Sequence, residues 1–360
     1  MAIDPLYSTA LEESAWEVPQ DYETLFNWNY SDDRKDLLSL YNKGKTMQWD
    51  TDSRIDWSRE LDPDDPLGIP MEFFPLYGAD FFMKMSPKEQ GEARRHQAAW
   101  SNSQFLHGEQ GALICSAKIV QNVPNTEAKF YASTQVMDEA RHVETYKKFV
   151  EKIGVAYPIT GPLKTLLDQV LRDNRWDMTY LGMQVVIEGL ALAAFANIRD
   201  HAKDPLAAAV NAYVMQDEAR HVAFGRLALR EYYPELTQAE RNEREEFLIE
   251  ACYLMRDRFS SIEMWENLGF PIKECKEYLE NSEGMKMFRT NLFSRIVPIV
   301  KDIGLWGDKI QSAYGDMGVL GFAQLDIDAM QEQDNAIAEE HDARRDHVDA
   351  AIEIGRSAAE

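Results

Sequence analysis

The hexapeptide Asp138-Glu139-Ala140-Arg141-His142-Val143 recurs as Asp217-Glu218-Ala219-Arg220-His221-Val222, at an offset of 79 residues. A further glutamate lies 30 residues before each copy's own: Glu109 before Glu139, and Glu188 before Glu218. In both copies Glu and His are three residues apart, so on a helix their side chains leave one face a turn apart. The order Glu, Glu-x-x-His, Glu, Glu-x-x-His on four helices is the donor set of a dinuclear iron or manganese centre in a helix bundle. Oxygen-rich ligation with one imidazole per metal favours those ions over thiolate-bound zinc.

The neighbours of these residues fit the same chemistry. Glu109 shares a helical face with Phe105, Leu106, Ala112 and Leu113, and Glu188 with Val185, Leu192 and Phe195. Each carboxylate therefore falls on an apolar stripe, where an ionised group without a partner is very costly and metal cations supply the partner. Asp138 and Asp217 are expected to accept the free N–H of a ligand histidine, each serving the other copy's imidazole. Arg141 and Arg220 are expected to pair with those aspartates. A single Glu-x-x-His on an acidic helix usually marks a solvated face. Here, of the chain's seven histidines, only His142 and His221 have a Glu three residues before them, and both lie in identical hexapeptides.

Four helices must carry these groups. Ser86-Pro87-Lys88-Glu89 reads as a capping box with Pro at the first helical position, opening a helix to about Val123 with room for a break. Asn125 is positioned to cap the next, which runs to Gly154. A shorter helix is expected over Leu163–Arg172 and another over about Trp176–Ala202. Asp204-Pro205 opens the fourth metal-bearing helix, ending near Tyr233-Pro234. Thr237 and Glu240 form a second capping box for a helix to about Leu268. Weaker helical patterns cover Pro271–Leu279, Gly284–Asp302 and a tail from Asp326. Upstream, Ser31 reads as the cap of one or two helices to Lys45, and Trp49 and Trp57 read as aromatic anchors of a packed extension. The expected fold class is all-α: a four-helix bundle over 86–235, an N-terminal extension over 1–85, added helices over 236–325 and a charged helical or disordered tail over 326–360.

Bulk properties narrow the function. The 360 residues carry a net charge of -24, which argues against nucleic acid or an anionic membrane surface as partner. Three cysteines without a CxxC pattern fit reduced thiols. The N-terminus lacks a signal-peptide pattern, and the apolar runs, such as Leu190 to Ala196, read as too short to span a bilayer. A cytoplasmic location is expected. Other candidate groups read as bland: Glu92-Ala-Arg-Arg-His96 as a surface ion-pair face, and Glu340, His341 and His347 as a solvated tail. Leu106, Leu113, Leu192 and Phe195 are candidates to line a substrate pocket, or simply to pack the bundle.

The arrangement resembles the ferritin-like di-iron carboxylate superfamily over about residues 86–235. The DEARH run resembles bacterial multicomponent monooxygenase hydroxylases; the ribonucleotide reductase small subunit and arylamine N-oxygenases are similar in general plan. The resemblance implies Glu109, Glu139, His142, Glu188, Glu218 and His221 as ligands of two Fe ions, with Mn an alternative. It also implies O2 as co-substrate and hydroxylation or N-oxygenation of a small organic substrate. Position 192 is Leu where the hydroxylases resemble one another in carrying Thr. Position 214 is Val where the arylamine N-oxygenases look to carry an extra His, which points away from them. Tyr146 matches the position of the reductase's radical tyrosine; it reads either as a catalytic redox group or as a core tyrosine. No flavin, nicotinamide or iron–sulfur motif is visible, so an external electron donor, a ferredoxin or reductase, is expected, and a homodimer is compatible. A radical-generating subunit and a ferroxidase or iron-storage protein are the alternative readings.

Overall fold

A computed structural model describes residues 6–9, 16–21, 23–30, 32–337 and 339–340. Among the described residues the chain is helical, with one isolated parallel bridge between Tyr7 and Ala156. The main helices are α1 (Lys35–Thr46), α2 (Pro87–Asn122), α3 (Thr126–Ile153), α4 (Gly161–Arg172), α5 (Trp176–His201), α6 (Pro205–Tyr232) and α7 (Gln238–Asp257). α2 pairs with α3, and α5 with α6, so the 79-residue sequence offset corresponds to two helix hairpins. α1 lies across α3 and α6, the two helices that carry the repeated hexapeptide.

Local chemistry sets the helix ends. Ser86 Oγ accepts the Glu89 N–H at 3.3 Å while Glu89 Oε2 accepts the Ser86 N–H at 2.7 Å, a closed capping box. Thr237 and Glu240 repeat it, and Asp204 accepts the N–H groups of Leu206 and Ala207 at 2.9 and 3.0 Å. Such caps contribute about 1 kcal/mol each. Gly154 ends α3 with φ 79, a left-handed position that glycine adopts without a Cβ clash. Asn125 sits at the start of α3 but makes no capping bond with its side chain. The Glu127 carboxylate instead accepts the backbone N–H groups of Asp33 and Arg34 at 3.1 and 3.2 Å, tying the N-terminal segment to this helix start.

Several expected boundaries shift. α2 is continuous, and no break interrupts its 36 residues. The helix after Thr237 stops at Asp257, because Ser261 takes φ 50 and redirects the chain into Ile262–Asn267. The expected helix over 284–302 divides into Glu283–Asn291 and Ile296–Asp302. Ser31, His341 and His347 lie outside the described residues. Residues 327–337 are helical, and their Asp334 is buried between Arg199 and Arg295 at 3.2 and 2.8 Å rather than solvated.

α5 has two features that its sequence pattern did not show. It is long and apolar enough to cross a membrane by length and composition, contrary to the expectation that no stretch qualifies. Yet 78% of its most apolar window is buried inside the protein, because it packs against α6, α7 and the helices after Ser282. Its segment Leu181–Ile187 is a π-helix, and the Glu188 N–H bonds the Met183 carbonyl five residues back. Gly225, one turn after His221, lets Gln184 of this segment approach; a Cβ there would lie 2.6 Å from the Gln184 Cβ.

Candidate metal centre

The four helices α2, α3, α5 and α6 bring Glu109, Glu139, His142, Glu188, Glu218 and His221 together, none more than 5% exposed. Their donor atoms form two overlapping clusters, each with all atoms within 4.8 Å. One holds Glu109, Glu139, His142 and Glu218; the other holds Glu139, Glu188, Glu218 and His221. Glu139 and Glu218 belong to both. His142 Nδ1 lies 3.3 Å from Glu109, 3.3 Å from Glu139 and 3.0 Å from Glu218. His221 Nδ1 lies 3.0 Å from Glu139 and 3.4 Å from Glu218. The two imidazole rings are 5.8 Å apart.

Both imidazoles turn Nδ1 to the carboxylates and Nε2 away. His142 Nε2 lies 3.1 Å from Asp217, and His221 Nε2 lies 3.3 Å from Asp138, so each hexapeptide's Asp faces the other's His. A carboxylate can only accept, which places the proton on Nε2 in the neutral ring and leaves the Nδ1 lone pair facing the cluster. Arg141 bonds Asp138 at 2.5 Å and Asp217 at 2.8 Å. Arg220 pairs with Asp217 and lies 3.7 Å from Asp138.

Charge and satisfaction bear on what the site can hold. Six buried carboxylates (four Glu, two Asp) face the two buried guanidinium groups of Arg141 and Arg220. Four formal negative charges remain, the charge of two divalent cations. Glu188 Oε2, both Glu218 oxygens and His221 Nδ1 are buried with no hydrogen-bond partner among the described residues. Without metal, burial and the neighbouring carboxylates hold the Glu109 and Glu188 carboxyls well above the usual range. Burial alone would depress His142 and His221, but the surrounding carboxylates outweigh it and raise both well above the ordinary histidine value. Burial likewise opposes ionisation of Glu139, yet the two imidazoles beside it pull its pKa far down. Metal cations would take the place of the protons held here. The donor set and its orphaned atoms therefore fit a dinuclear oxygen-rich site.

Tyr146 is buried four residues after His142, and its hydroxyl lies 3.2 Å from Asn211 Oδ1 as a hydrogen bond. Burial, then the negative charges of Glu109 and Glu218, push its phenol well above the ordinary tyrosine value. Its ring lies 5.5 Å from Phe105 and 5.8 Å from Phe195. Of the four residues read as candidate pocket lining, Leu192 borders a small pocket near Asp334, while Leu106, Leu113 and Phe195 border neither that pocket nor a larger cavity between α2 and α5. Phe105, the neighbour of Leu106, lines the larger one. The Glu92–His96 run does not form the expected surface ion-pair face. Arg94 pairs with Asp65, Arg95 bonds the Ile153 carbonyl at 3.0 Å, and His96 Nδ1 meets the Tyr157 hydroxyl at 2.7 Å.

Sequence reasoning missed three polar residues of this site. Gln135 donates to Glu139 at 3.0 Å and to Glu188 at 2.9 Å, joining the hairpins across the site. It lies four residues before Glu139, at the repeat position that Val214 fills in the second copy, and aligning the copies would have exposed that polar mismatch. Gln48 donates to Asp138 at 2.7 Å, and the Trp49 indole donates to Asp217 at 2.8 Å. Both come from the segment read as mere packing, and no motif marks them.

A family model described as P-aminobenzoate N-oxygenase AurF matches residues 31–304. No curated protein sequence matches. Two solved variants of an R2-like ligand-binding oxidase with anaerobically reconstituted Mn/Fe cofactor are similar in fold. One, at 16% identity and TM-score 0.51, covers 77% of this chain and 97% of that chain. The other, at 16% identity and TM-score 0.52, covers 76% of this chain and 95% of that chain. A protein with aldehyde deformylating oxidase activity from Synechococcus is also similar, at 16% identity and TM-score 0.47, covering 62% of this chain and 97% of that chain. The family match corrects the inference drawn from Val214: a residue other than His there does not set the chain apart from the N-oxygenase family.

Proposed function

The chain belongs to the P-aminobenzoate N-oxygenase AurF family, within the ferritin-like di-iron superfamily, and from that premise we propose that it oxygenates the nitrogen of a small organic amine. It is an oxidoreductase of the carboxylate-bridged dinuclear type, acting on a small molecule. The observation that carries the residue assignment is the pair of overlapping donor clusters, with four formal negative charges once deprotonated, and the orphaned Glu218 oxygens.

In this reading Glu109 and His142 would hold one ion and Glu188 and His221 the other, with Glu139 and Glu218, members of both clusters, available to each. Two Fe ions, or Mn with Fe, would supply the reductive activation of O2. The protein's own residues prepare the site. Asp217 and Asp138 fix the imidazoles with Nε2 protonated, so that Nδ1 stays a lone-pair donor. Gln135 holds Glu139 and Glu188 in place, and the rings of Phe105 and Phe195 pack against Tyr146 beside the site. Tyr146 is a candidate redox group, with Asn211 as the partner that orients its hydroxyl. Electrons come from an external donor, a ferredoxin or reductase, and the reading places the enzyme in the cytoplasm, with homodimer assembly allowed.

The test supplies metal-loaded protein with reductant, isotopically labelled O2 and a panel of amines. Incorporation of label into an oxidised nitrogen is expected. O2 consumption with label only in hydroxylated carbon, or only in water, contradicts N-oxygenation.

A further inference from the structure

A cavity of about 590 Å³ lies between α2 and α5, the helices that carry Glu109 and Glu188. Its size falls in the range of about 300–1,000 Å³ usual for small-molecule sites. Along α2 its wall extends from Arg94 through Ala98 to Phe105, about 16 Å of helix. Ala193, Ala194 and Ile198 of α5 form the facing wall, and the small side chains of the two alanines leave the space open. Phe105 closes the inner end. It stands one turn before Glu109, its ring 4.8 Å from that of Phe195. Phe288, Met285 and Met287 add adaptable apolar surface on the outer side.

The charges on this lining are unequal in availability. Arg94 is its one arginine, and that guanidinium is held by Asp65 at 2.5 Å and by the Ile69 carbonyl. His201 is engaged through Nδ1 with the Asn197 carbonyl at 2.8 Å, and its ring packs 4.6 Å from Phe73. The other charged groups are acids: Glu283, which meets Lys286 on the outside at 2.7 Å, and Glu72, which has no ion pair among the described residues. Hence, among the described residues, the lining offers an anion no free arginine or lysine. A carboxylate drawn into this space would exchange water for neutral donors such as Ser101, Asn197 and Asn291, with no unpaired arginine or lysine to offset its charge, which is unfavourable.

We propose that this cavity binds an elongated, largely apolar amine lacking a carboxylate, with its reacting end at Phe105, and that amino-carboxylates such as p-aminobenzoate bind poorly. The proposal deepens the oxygenase reading and rests on it for the identity of the reacting centre. Calorimetric titration of decanol, decylamine and decanoate into metal-free and metal-loaded protein, with metal counted separately, tests it. Decanol and decylamine should saturate one site, with decanoate at least about tenfold weaker. Ala193→Phe should abolish decanol binding at unchanged metal content, and Glu72→Lys should strengthen decanoate binding. Decanoate binding as tightly as decanol, or decanol binding untouched by Ala193→Phe, would overturn it. Either failure leaves the dinuclear assignment standing, whereas loss of metal with intact decanol binding would fall on that assignment alone.

Discussion

Trp49 donates its indole N–H to Asp217 at 2.8 Å, and the same Asp217 oxygen faces Nε2 of His142 at 3.1 Å. A residue from the N-terminal segment thus reaches a carboxylate that orients a proposed metal ligand. Replacing it by Trp49→Phe keeps an aromatic ring but removes the donor. Stability should fall by about 1–3 kcal/mol. Metal affinity should fall by about 10–100-fold. Chelator competition and thermal denaturation measure the two effects; unchanged metal affinity would reduce Trp49 to a packing anchor.

The overlap of the two donor clusters predicts unequal roles for the four glutamates. Glu139 and Glu218 contribute to both clusters, while Glu109 and Glu188 each contribute to one. Glu139→Gln or Glu218→Gln should therefore lose both ions. Glu109→Gln or Glu188→Gln should retain about one ion per chain, by the one-cluster geometry. Elemental analysis of the four variants distinguishes the patterns. Equal losses across all four would contradict the shared role.

Metal uptake should release protons. Glu109, Glu188, His142 and His221 all have pKa values raised in the metal-free protein, the carboxyls by burial and repulsion, the imidazoles by their carboxylate neighbours. Ligands bind metal deprotonated, so affinity should rise with pH and fall in acid. Titration calorimetry in buffers of differing ionisation enthalpy should show several protons, up to about four per two ions, leaving the protein. Release of none would mean the cluster is already deprotonated.

Acid sensitivity should also arise away from the cluster. His107 is largely buried, and burial depresses its pKa below the ordinary 6.5 despite its bond to the Tyr157 carbonyl at 2.8 Å. The folded state then holds fewer protons than the unfolded one as pH falls through that ordinary value. Its contribution is full above 6.5 and is lost as pH drops towards the depressed folded value. From about pH 7.5 to about pH 5.5 the melting temperature of the native protein should drop more steeply than that of His107→Gln. Parallel curves would assign the acid sensitivity to other groups.

The repeated hexapeptide and the matched glutamates were legible because helix periodicity translates directly into side-chain facing. Capping boxes at Ser86 and Thr237 were legible because both partners are local. What was hidden depends on contacts distant in sequence. Gln48 and Trp49 reach Asp138 and Asp217 across 90 and 168 residues, and nothing local distinguishes them from packing residues. The π segment before Glu188 leaves no pattern in apolar residues, since Leu181–Ile187 is buried throughout. The same all-round burial explains why α5 passes as a membrane span by composition. The break at Ser261 was invisible because a non-glycine residue carries the left-handed φ.

The most direct test of the central claim is metal stoichiometry in purified native protein and in Glu139→Ala and Glu218→Ala. The account predicts about two iron ions, or manganese with iron, per native chain, and loss of dinuclear binding in either variant. Native protein without stoichiometric metal after iron reconstitution, or variants that retain full content, would contradict it.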